Sequence, residues 1–158
     1  MSGLKQAPVV NYKGSGLALD LSVVIPAFNE QGNVAPLLRA IHRALGDSLV
    51  SYEILVVDDG STDGTLEALC VAQESDPTLR VGHLRRNQGQ THAMLAGIQL
   101  ARGKAIVTLD ADMQNDPADI PRLLEHLDCW DVVCGIRKGR QDNWFRRLSS
   151  KIGNGFRN

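Results

Sequence analysis

Residues 21–57 read LSVVIPAFNEQGNVAPLLRAIHRALGDSLVSYEILVV. A run rich in β-branched residues opens this stretch, and a second such run closes it. Between the two runs, apolar residues recur at three- and four-residue spacing, as Leu37, Leu38, Ile41 and Leu45, which is the period of an amphipathic helix. The stretch therefore predicts a strand, a helix and a second strand that lies parallel to the first in one sheet.

The same alternation continues along the chain. It predicts strands at residues 21–25, 53–57, 79–84, 104–109 and 131–134. It predicts helices at 33–45, 65–74, 90–101, 118–127 and 143–154, and Asp116 before Pro117 is the capping signal of the fourth helix. Strands that alternate with helices indicate an α/β fold with an open, mostly parallel, Rossmann-like sheet covered by helices on both faces.

Length and composition are those of one globular domain. The chain has 158 residues, of which 43% are hydrophobic, and a formal net charge of −1.

The cysteines Cys70, Cys129 and Cys134 form no Cys-x-x-Cys pair and have no histidine at zinc-finger spacing, so we expect a reduced, cytoplasmic setting. Residues 1–16 lack the apolar region of a signal peptide, and no window is long enough to span a bilayer. Residues 1–20 are expected to be a flexible N-terminal segment.

The positive charge of the chain is concentrated at its C-terminal end. Residues 137–158 contain seven lysines or arginines and a single acid, Asp142. This segment is either a solvated helix face that balances an acidic body or a surface for phosphate or anionic lipid. Charge alone leaves both interpretations open.

In an open parallel sheet, ligands bind at the carboxyl ends of the strands. The segments that leave the predicted strands are rich in polar groups: PAFNE at 26–30, DDGSTD at 58–63, DADMQ at 110–114 and GIR at 135–137. Acids, amides, an aromatic ring and an arginine are thus expected at one edge. This edge is the predicted site.

Asp110 and Asp112 carry the most specific chemistry. Two carboxylates two residues apart at a strand end form a hard-oxygen site for Mg²⁺ or Mn²⁺ with positions open for phosphate oxygens. Acids near a helix start can also serve as caps, but Asp116 and Pro117 already provide the cap. We therefore interpret Asp110 and Asp112 as a metal site.

The other strand exits are less specific on their own. We assign a base- or ribose-binding role to Asp58 and a helix-capping role to Asp63. Phe28 either stacks on a base or packs into the core, and taken alone the core interpretation is favoured. His83 and His92 have no acid partner visible in the sequence and are interpreted as structural.

Taken in order, the motifs resemble a known family. VVIPAFNE from Val23, VVDDGSTDGT from Val56, RNQGQTHAMLAGI from Arg86, DADMQNDP from Asp110 and GIRKGR from Gly135 are similar to inverting family-2 glycosyltransferases with the GT-A fold. The match resembles most closely the polyprenyl-phosphate sugar transferases, a group with dolichyl-phosphate mannose synthase and undecaprenyl-phosphate glycosyltransferases. The resemblance implies a core at 21–136, the N-terminal part of such an enzyme, and a basic acceptor- or membrane-facing helix at 137–158 that the chain end cuts short.

The resemblance also implies roles for individual residues. The nucleotide-sugar pocket would be lined by Pro26, Phe28, Glu30, Val56, Asp58, Asp110 and Ala111. The metal, Mg²⁺ or Mn²⁺, and the diphosphate would meet Asp110, Asp112 and Gln114, and the acceptor phosphate would meet Arg137 and Arg147. Asp112 and Arg137 would be the catalytic residues.

The implied reaction moves a sugar from a UDP- or GDP-linked donor to a polyprenyl phosphate at the cytoplasmic face of a membrane, with no nucleic acid involved. The acceptor phosphate is largely an anion at neutral pH, because its second pKa is about 6, so the reaction needs no strong protein base. Alternatives are a catalytically incomplete donor-binding fragment and a family-2 enzyme with another acceptor. A nucleotidyltransferase would need a Gly-rich basic loop after the first strand, and a receiver domain a lysine and a hydroxyl at later strand exits; both are absent.

Overall fold

The computed structural model describes residues 19–135. This described part of the chain divides between Pro121 and Arg122 into two units. The first unit contains β1 (Leu19–Ala27), α1 (Gln31–Leu45), β2 (Tyr52–Asp58), α2 (Thr65–Ser75), β3 (Leu79–His83), α3 (Gln90–Leu100) and β4 (Gly103–Thr108). A 3₁₀ turn at Pro117–Asp119 then leads into α4 (Ile120–Leu124). In the second unit, the described residues after α4 form turns up to Trp130.

The four strands form one parallel sheet in the order β3-β2-β1-β4. The chain passes from β1 to β2 and β3 on one side, and then returns across β1 to place β4 on the other side. The strand order therefore reverses between β1 and β4. In open α/β sheets, such a reversal opens a crevice at the carboxyl ends of the two strands, where ligands bind. The predicted α/β class and parallel sheet are confirmed.

Helices pack against both faces of the sheet. Val56 of β2 borders a small apolar void with Val34 of α1 and Leu69 of α2. Leu55, one residue earlier and so on the opposite face, clusters with Ala93 of α3. The α3 backbone lies close to the sheet at Gly97, where an added Cβ would be 2.4 Å from Val24 Cγ1. Because β1 and β2 are covered on both sides, they are almost continuously apolar, as buried parallel strands are.

Two predicted elements differ from the structure. Residues 131–134 are irregular rather than a fifth strand, and Val132 is 77% exposed, so this short apolar run lacks the burial that stabilises a strand. The fourth helix is also shorter than predicted, because it begins as a 3₁₀ turn and ends at Leu124. Its predicted cap is confirmed: the Asp116 carboxylate accepts the Ala118 amide at 3.0 Å. The helix predicted at 143–154 lies outside the described residues.

Residues 19–135 include no helix with both the length and the apolar character that crossing a membrane requires.

The buried carboxylate of Glu53 connects the strands at the amino-terminal edge of the sheet. Glu53 is 3% exposed and accepts hydrogen bonds from Ser22 Oγ at 2.7 Å and Arg80 Nη1 at 2.6 Å. The backbone amide of Arg102, which precedes β4, donates to the same carboxylate at 2.8 Å. Ser22 Oγ in turn accepts the Gly103 amide at 2.8 Å. Glu53 thus joins β1, β2, β3 and the start of β4.

These contacts predict how the stability of the domain depends on pH. Burial alone would raise the pKa of Glu53, but the hydrogen bonds from Ser22, Arg80 and the Arg102 amide outweigh burial and lower this pKa. The Glu53 contribution is therefore fully present above the unfolded pKa of about 4.3 and is lost as the pH falls through the lower folded value. We expect the thermal midpoint to fall on acidification below about pH 4.3, and to fall less steeply in Glu53→Gln. An equal slope in both proteins would contradict this assignment.

Candidate functional site

The chain turns sharply after each strand at the carboxyl edge of the sheet. In residues 19–135 the positive φ angles are at Asn29, Gly60, Gly89 and Met113, and each follows a different strand. Asn29 and Met113 are not glycines, and a positive φ costs such residues free energy unless the surroundings enforce it. Local strain is thus concentrated at the edge where the strand order reverses.

The segments that follow β1 and β2 are tied together by hydrogen bonds. The Asn29 amide donates to Ser61 Oγ at 2.9 Å, and Asn29 Oδ1 accepts the Thr62 amide at 2.9 Å. The Glu30 amide donates to Thr65 Oγ1 at 2.8 Å. Asp63 was predicted to cap α2, but the N-cap residue is Gly64, and Asp63 Oδ1 accepts the amide of the first helical residue, Thr65, at 2.9 Å. Phe28 and Glu30 therefore lie in a loop that these hydrogen bonds hold against the segment after β2.

Asp59 anchors the segment that follows β3. Its side chain is 2% exposed, and its two oxygens accept the amides of Gln88 and Gly89, each at 2.8 Å. The loop after β3 is thereby fixed at the point where α3 begins. Because Asp59 directly follows β2, these hydrogen bonds connect the segment after β2 to the segment after β3.

Gly60 lets the segments after β2 and β3 approach each other. Its φ is +67°, and an added Cβ would lie 2.5 Å from the carbonyl carbon of Arg86 and 2.6 Å from the amide nitrogen of Asn87. We expect Gly60→Ala to lower the free energy of unfolding by about 2 kcal/mol or more, because it combines backbone strain with a backbone clash. Urea unfolding measures this loss.

The control is Gly32→Ala in α1, where nothing lies within 4 Å of the added Cβ. Alanine favours helix over glycine by about 1 kcal/mol, so the control should be neutral or stabilising. Equal stability of the two variants would contradict the described contact.

The segment after β4 holds two carboxylates. Asp110 is half-buried and accepts Gln90 Nε2 on Oδ1 at 2.7 Å and Asn115 Nδ2 on Oδ2 at 3.3 Å. Asp112 is exposed, and its Oδ1 accepts the Gln114 backbone amide at 3.0 Å. The turn through Met113, with φ of 60°, makes this last hydrogen bond possible. Hydrogen bonds from neighbouring side-chain and backbone amides thus orient both carboxylates.

These segments enclose a cavity of about 320 Å³, within the range of roughly 300–1,000 Å³ typical of small-molecule sites. From β1 it is lined by Pro26, Ala27, Phe28 and Glu30, and from the later exits by Asp59, Asn87, Gly89, Gln90, Asp110, Ala111 and Asp112. The cavity therefore lies at the reversal of strand order between β1 and β4. Phe28 is 40% exposed, so it faces the cavity rather than packing into the core.

Most of the predicted site residues lie in this cavity. Val56 and Asp58 do not: Val56 is 3% exposed and faces α1 and α2, and Asp58 is fully buried. Asp58 is hydrogen-bonded to His83 Nδ1 at 2.8 Å, a partner for His83 that the sequence did not reveal. Because β2 continues through Asp58, the neighbouring Asp59 is the acid that reaches the cavity. The predicted role of Asp58 in nucleotide binding stays a prediction, and Asp59 is the member of the acid pair that lines the cavity.

The remaining predicted residues lie elsewhere. The Gln114 side chain is exposed and does not line the cavity. Arg137 and Arg147 lie outside the described residues, as does the basic segment to which they belong. Asn87, Gly89 and Gln90 do line the cavity, although no ligand role was predicted for them.

The charge of the cavity fits a divalent cation. Among residues 19–135, the cavity lining includes the carboxylates of Glu30, Asp59, Asp110 and Asp112 and no lysine or arginine. No cluster of three or more metal-ligating side chains occurs in this part of the chain. Mg²⁺ is typically bound by one or two carboxylates, water and substrate phosphates rather than by an all-protein cage. Asp110 and Asp112 fit such a site.

Solved structures share this fold. The mannosyltransferase PcManGT from Pyrobaculum calidifontis in complex with GDP-Man and Mn²⁺ superimposes with a TM-score of 0.64 and 24% identity, over 82% of this chain and 40% of that one. The glucosyl-3-phosphoglycerate synthase from Mycobacterium tuberculosis, in complex with Mn²⁺, UDP-Glc and phosphoglyceric acid, gives 0.55 and 26%, over 69% of this chain and 39% of that one. The domain has the GT-A glycosyltransferase fold.

Sequence comparison identifies the family. Residues 22–157 match the model of glycosyl transferase family 2, and the chain belongs to this family. It is 43% identical over 134 residues to an undecaprenyl-phosphate 4-deoxy-4-formamido-L-arabinose transferase of Aeromonas hydrophila, covering 84% of the chain and 41% of that protein. It is 44% identical over 133 residues to a dodecaprenyl-phosphate galacturonate synthase of Rhizobium johnstonii, covering 82% and 39%. The chain thus spans about two fifths of the length of these relatives.

Proposed function

We propose that the cavity between the ends of β1 and β4 binds a nucleotide-diphosphate sugar together with Mg²⁺ or Mn²⁺. The observation that carries this proposal is the charge of the lining: carboxylates and no lysine or arginine in the described part of the chain. A diphosphate would be repelled by such a lining unless a cation lay between them. Asp112 and Asp110 would hold that cation, which would supply neutralisation of the diphosphate leaving group.

The remaining lining residues account for the nucleoside. Phe28 offers an exposed aromatic face on which a base can stack. Pro26 and Glu30 lie on the same β1 exit, and the Asp59 carboxylate keeps lone pairs for a base or ribose donor in addition to those that accept its two amides. Both uracil and guanine carry such donors. Either UDP or GDP is therefore a candidate donor nucleotide.

We propose further that the whole protein transfers the sugar to a polyprenyl phosphate with inversion. The names of the relatives that are 43% and 44% identical support this acceptor class. The acceptor phosphate is itself the nucleophile, and no histidine lines the cavity in the described residues, which is consistent with a reaction that needs no strong base. Asp112 and Arg137 would be the catalytic residues, with Arg137 and Arg147 binding the acceptor phosphate at the cytoplasmic face of the membrane.

Calorimetric titration tests the donor part of the proposal. The 158-residue chain is titrated with UDP and with GDP, each with and without Mn²⁺. We expect one nucleotide to bind in a Mn²⁺-dependent manner, and the preferred nucleotide defines the donor class. A folded sample that binds neither nucleotide with Mn²⁺ would contradict the proposed donor site.

A further inference from the structure

A continuous set of hydrogen bonds crosses the cavity from the exit of β2 to the exit of β4. Asp59 holds the amides of Gln88 and Gly89, and the next residue, Gln90, begins α3. Gln90 Nε2 then donates to Asp110 Oδ1 at 2.7 Å. The Asp59 carboxylate thus fixes the two residues that precede Gln90, and the Gln90 side chain contacts Asp110.

The Asp110 carboxylate is held from two directions. Gln90 approaches one oxygen from α3, and Asn115 Nδ2 approaches the other at 3.3 Å from the segment after β4. Gln90 and Asn115 present neutral amides, so these two contacts orient the carboxylate without cancelling its charge.

We propose that Gln90 is a positioning residue that orients Asp110 towards the cation and diphosphate of the donor. This inference rests on the proposed function, because it assigns a purpose to Gln90 only if a metal–diphosphate binds beside Asp110. Gln90 itself acts through Asp110. Its removal leaves the charge of the site unchanged and removes only a constraint on the carboxylate.

The expected effect is selective for the metal-dependent part of binding. Loss of a residue that orients a metal ligand typically costs about 10- to 100-fold in metal affinity, and we expect Gln90→Ala to weaken Mn²⁺-dependent nucleotide binding by about 10-fold. The loss should be larger for Mn²⁺-dependent binding than for binding of the nucleotide without metal. A merely structural role would weaken both equally, and would also lower the thermal midpoint.

The matched control is Gln99→Ala, an exposed glutamine near the end of the same helix. Calorimetric titration of the full chain with Mn²⁺ and the nucleotide that the wild type prefers compares the two variants. The control should bind as the wild type does. Gln90→Ala binding as tightly as the control, or losing metal-free and metal-dependent affinity equally, would overturn the inference.

A second measurement examines the contact without any ligand. In ¹⁵N–¹H correlation spectra, the side-chain amide of Gln90 is the pair of signals that disappears in Gln90→Ala. That pair should shift in Asp110→Ala and stay in place in Asp112→Ala. An unmoved pair in Asp110→Ala would overturn the inference even if binding were impaired.

The two proposals fail in different ways. A wild-type chain that binds no nucleotide with Mn²⁺ would overturn the proposed function, and with it the purpose assigned to Gln90. Nucleotide binding by the wild type, together with an unchanged Mn²⁺-dependent affinity in Gln90→Ala, would overturn only the positioning role.

Discussion

Replacing Asp112 with alanine should weaken Mn²⁺-dependent nucleotide binding by more than about 100-fold, since loss of a direct ligand exceeds the effect of losing a residue that only orients one. Asp112 is exposed at the cavity, and its carboxylate accepts the Gln114 backbone amide, so the change removes no core contact. The thermal midpoint should therefore stay within the range of a surface substitution. Calorimetry and thermal unfolding measure the two quantities.

Asp119→Ala provides the control, because Asp119 is an exposed acid of the adjacent 3₁₀ turn and does not line the cavity. It changes the net charge of the chain by the same amount. We expect its nucleotide affinity to match that of the wild type. Unchanged affinity in Asp112→Ala, or equal losses in both variants, would contradict the metal site.

Glu53→Gln should lower the free energy of unfolding by about 3 kcal/mol, the scale on which breaking a buried ion pair destabilises a protein. The substituted amide presents a donor towards Arg80 Nη1, which lies 2.6 Å from the carboxylate in the native protein. It also weakens the contacts that hold the start of β4 against β1 and β2. Urea unfolding measures the loss.

Glu74→Gln on the exposed side of α2 is the matched control, and surface changes of this kind stay within about 0.5 kcal/mol. A Glu53→Gln protein as stable as the control would show that the network does not hold the sheet together.

The sequence correctly predicted the strands and helices in which the spacing of apolar residues matches the spacing of buried residues. The apolar runs of β1 and β2 and the spacing of Leu37, Leu38 and Ile41 in α1 correspond to buried residues. Asp116 could be assigned as a cap because its effect is confined to residues two positions away. The run at 131–134 carried the same signal but is exposed in the structure, since a strand also needs a neighbour that the local pattern does not specify.

The sequence predicted where in the fold the candidate site lies, but it did not identify every residue that lines the cavity. Strand exits bring distant segments together, so Asp110, Asp112 and Phe28 could be placed at one edge from the sequence. The choice between Asp58 and Asp59 depends on the residue at which β2 ends, because adjacent side chains in a strand point to opposite faces. The hydrogen bond between Gln90 and Asp110 joins residues 20 apart, and no local signal marks it.

A divalent cation and a nucleotide diphosphate are proposed to bind at the carboxyl edge between β1 and β4. Paramagnetic broadening of the backbone amide signals of this chain by Mn²⁺, in the presence of UDP or GDP, tests this proposal. We expect the broadening to be centred on Asp110 and Asp112 and to extend to Gln90 and Asp59. Broadening centred on Asp47 and Asp76, which lie at the opposite, amino-terminal edge of the sheet, or broadening unaffected by the nucleotide, would contradict it.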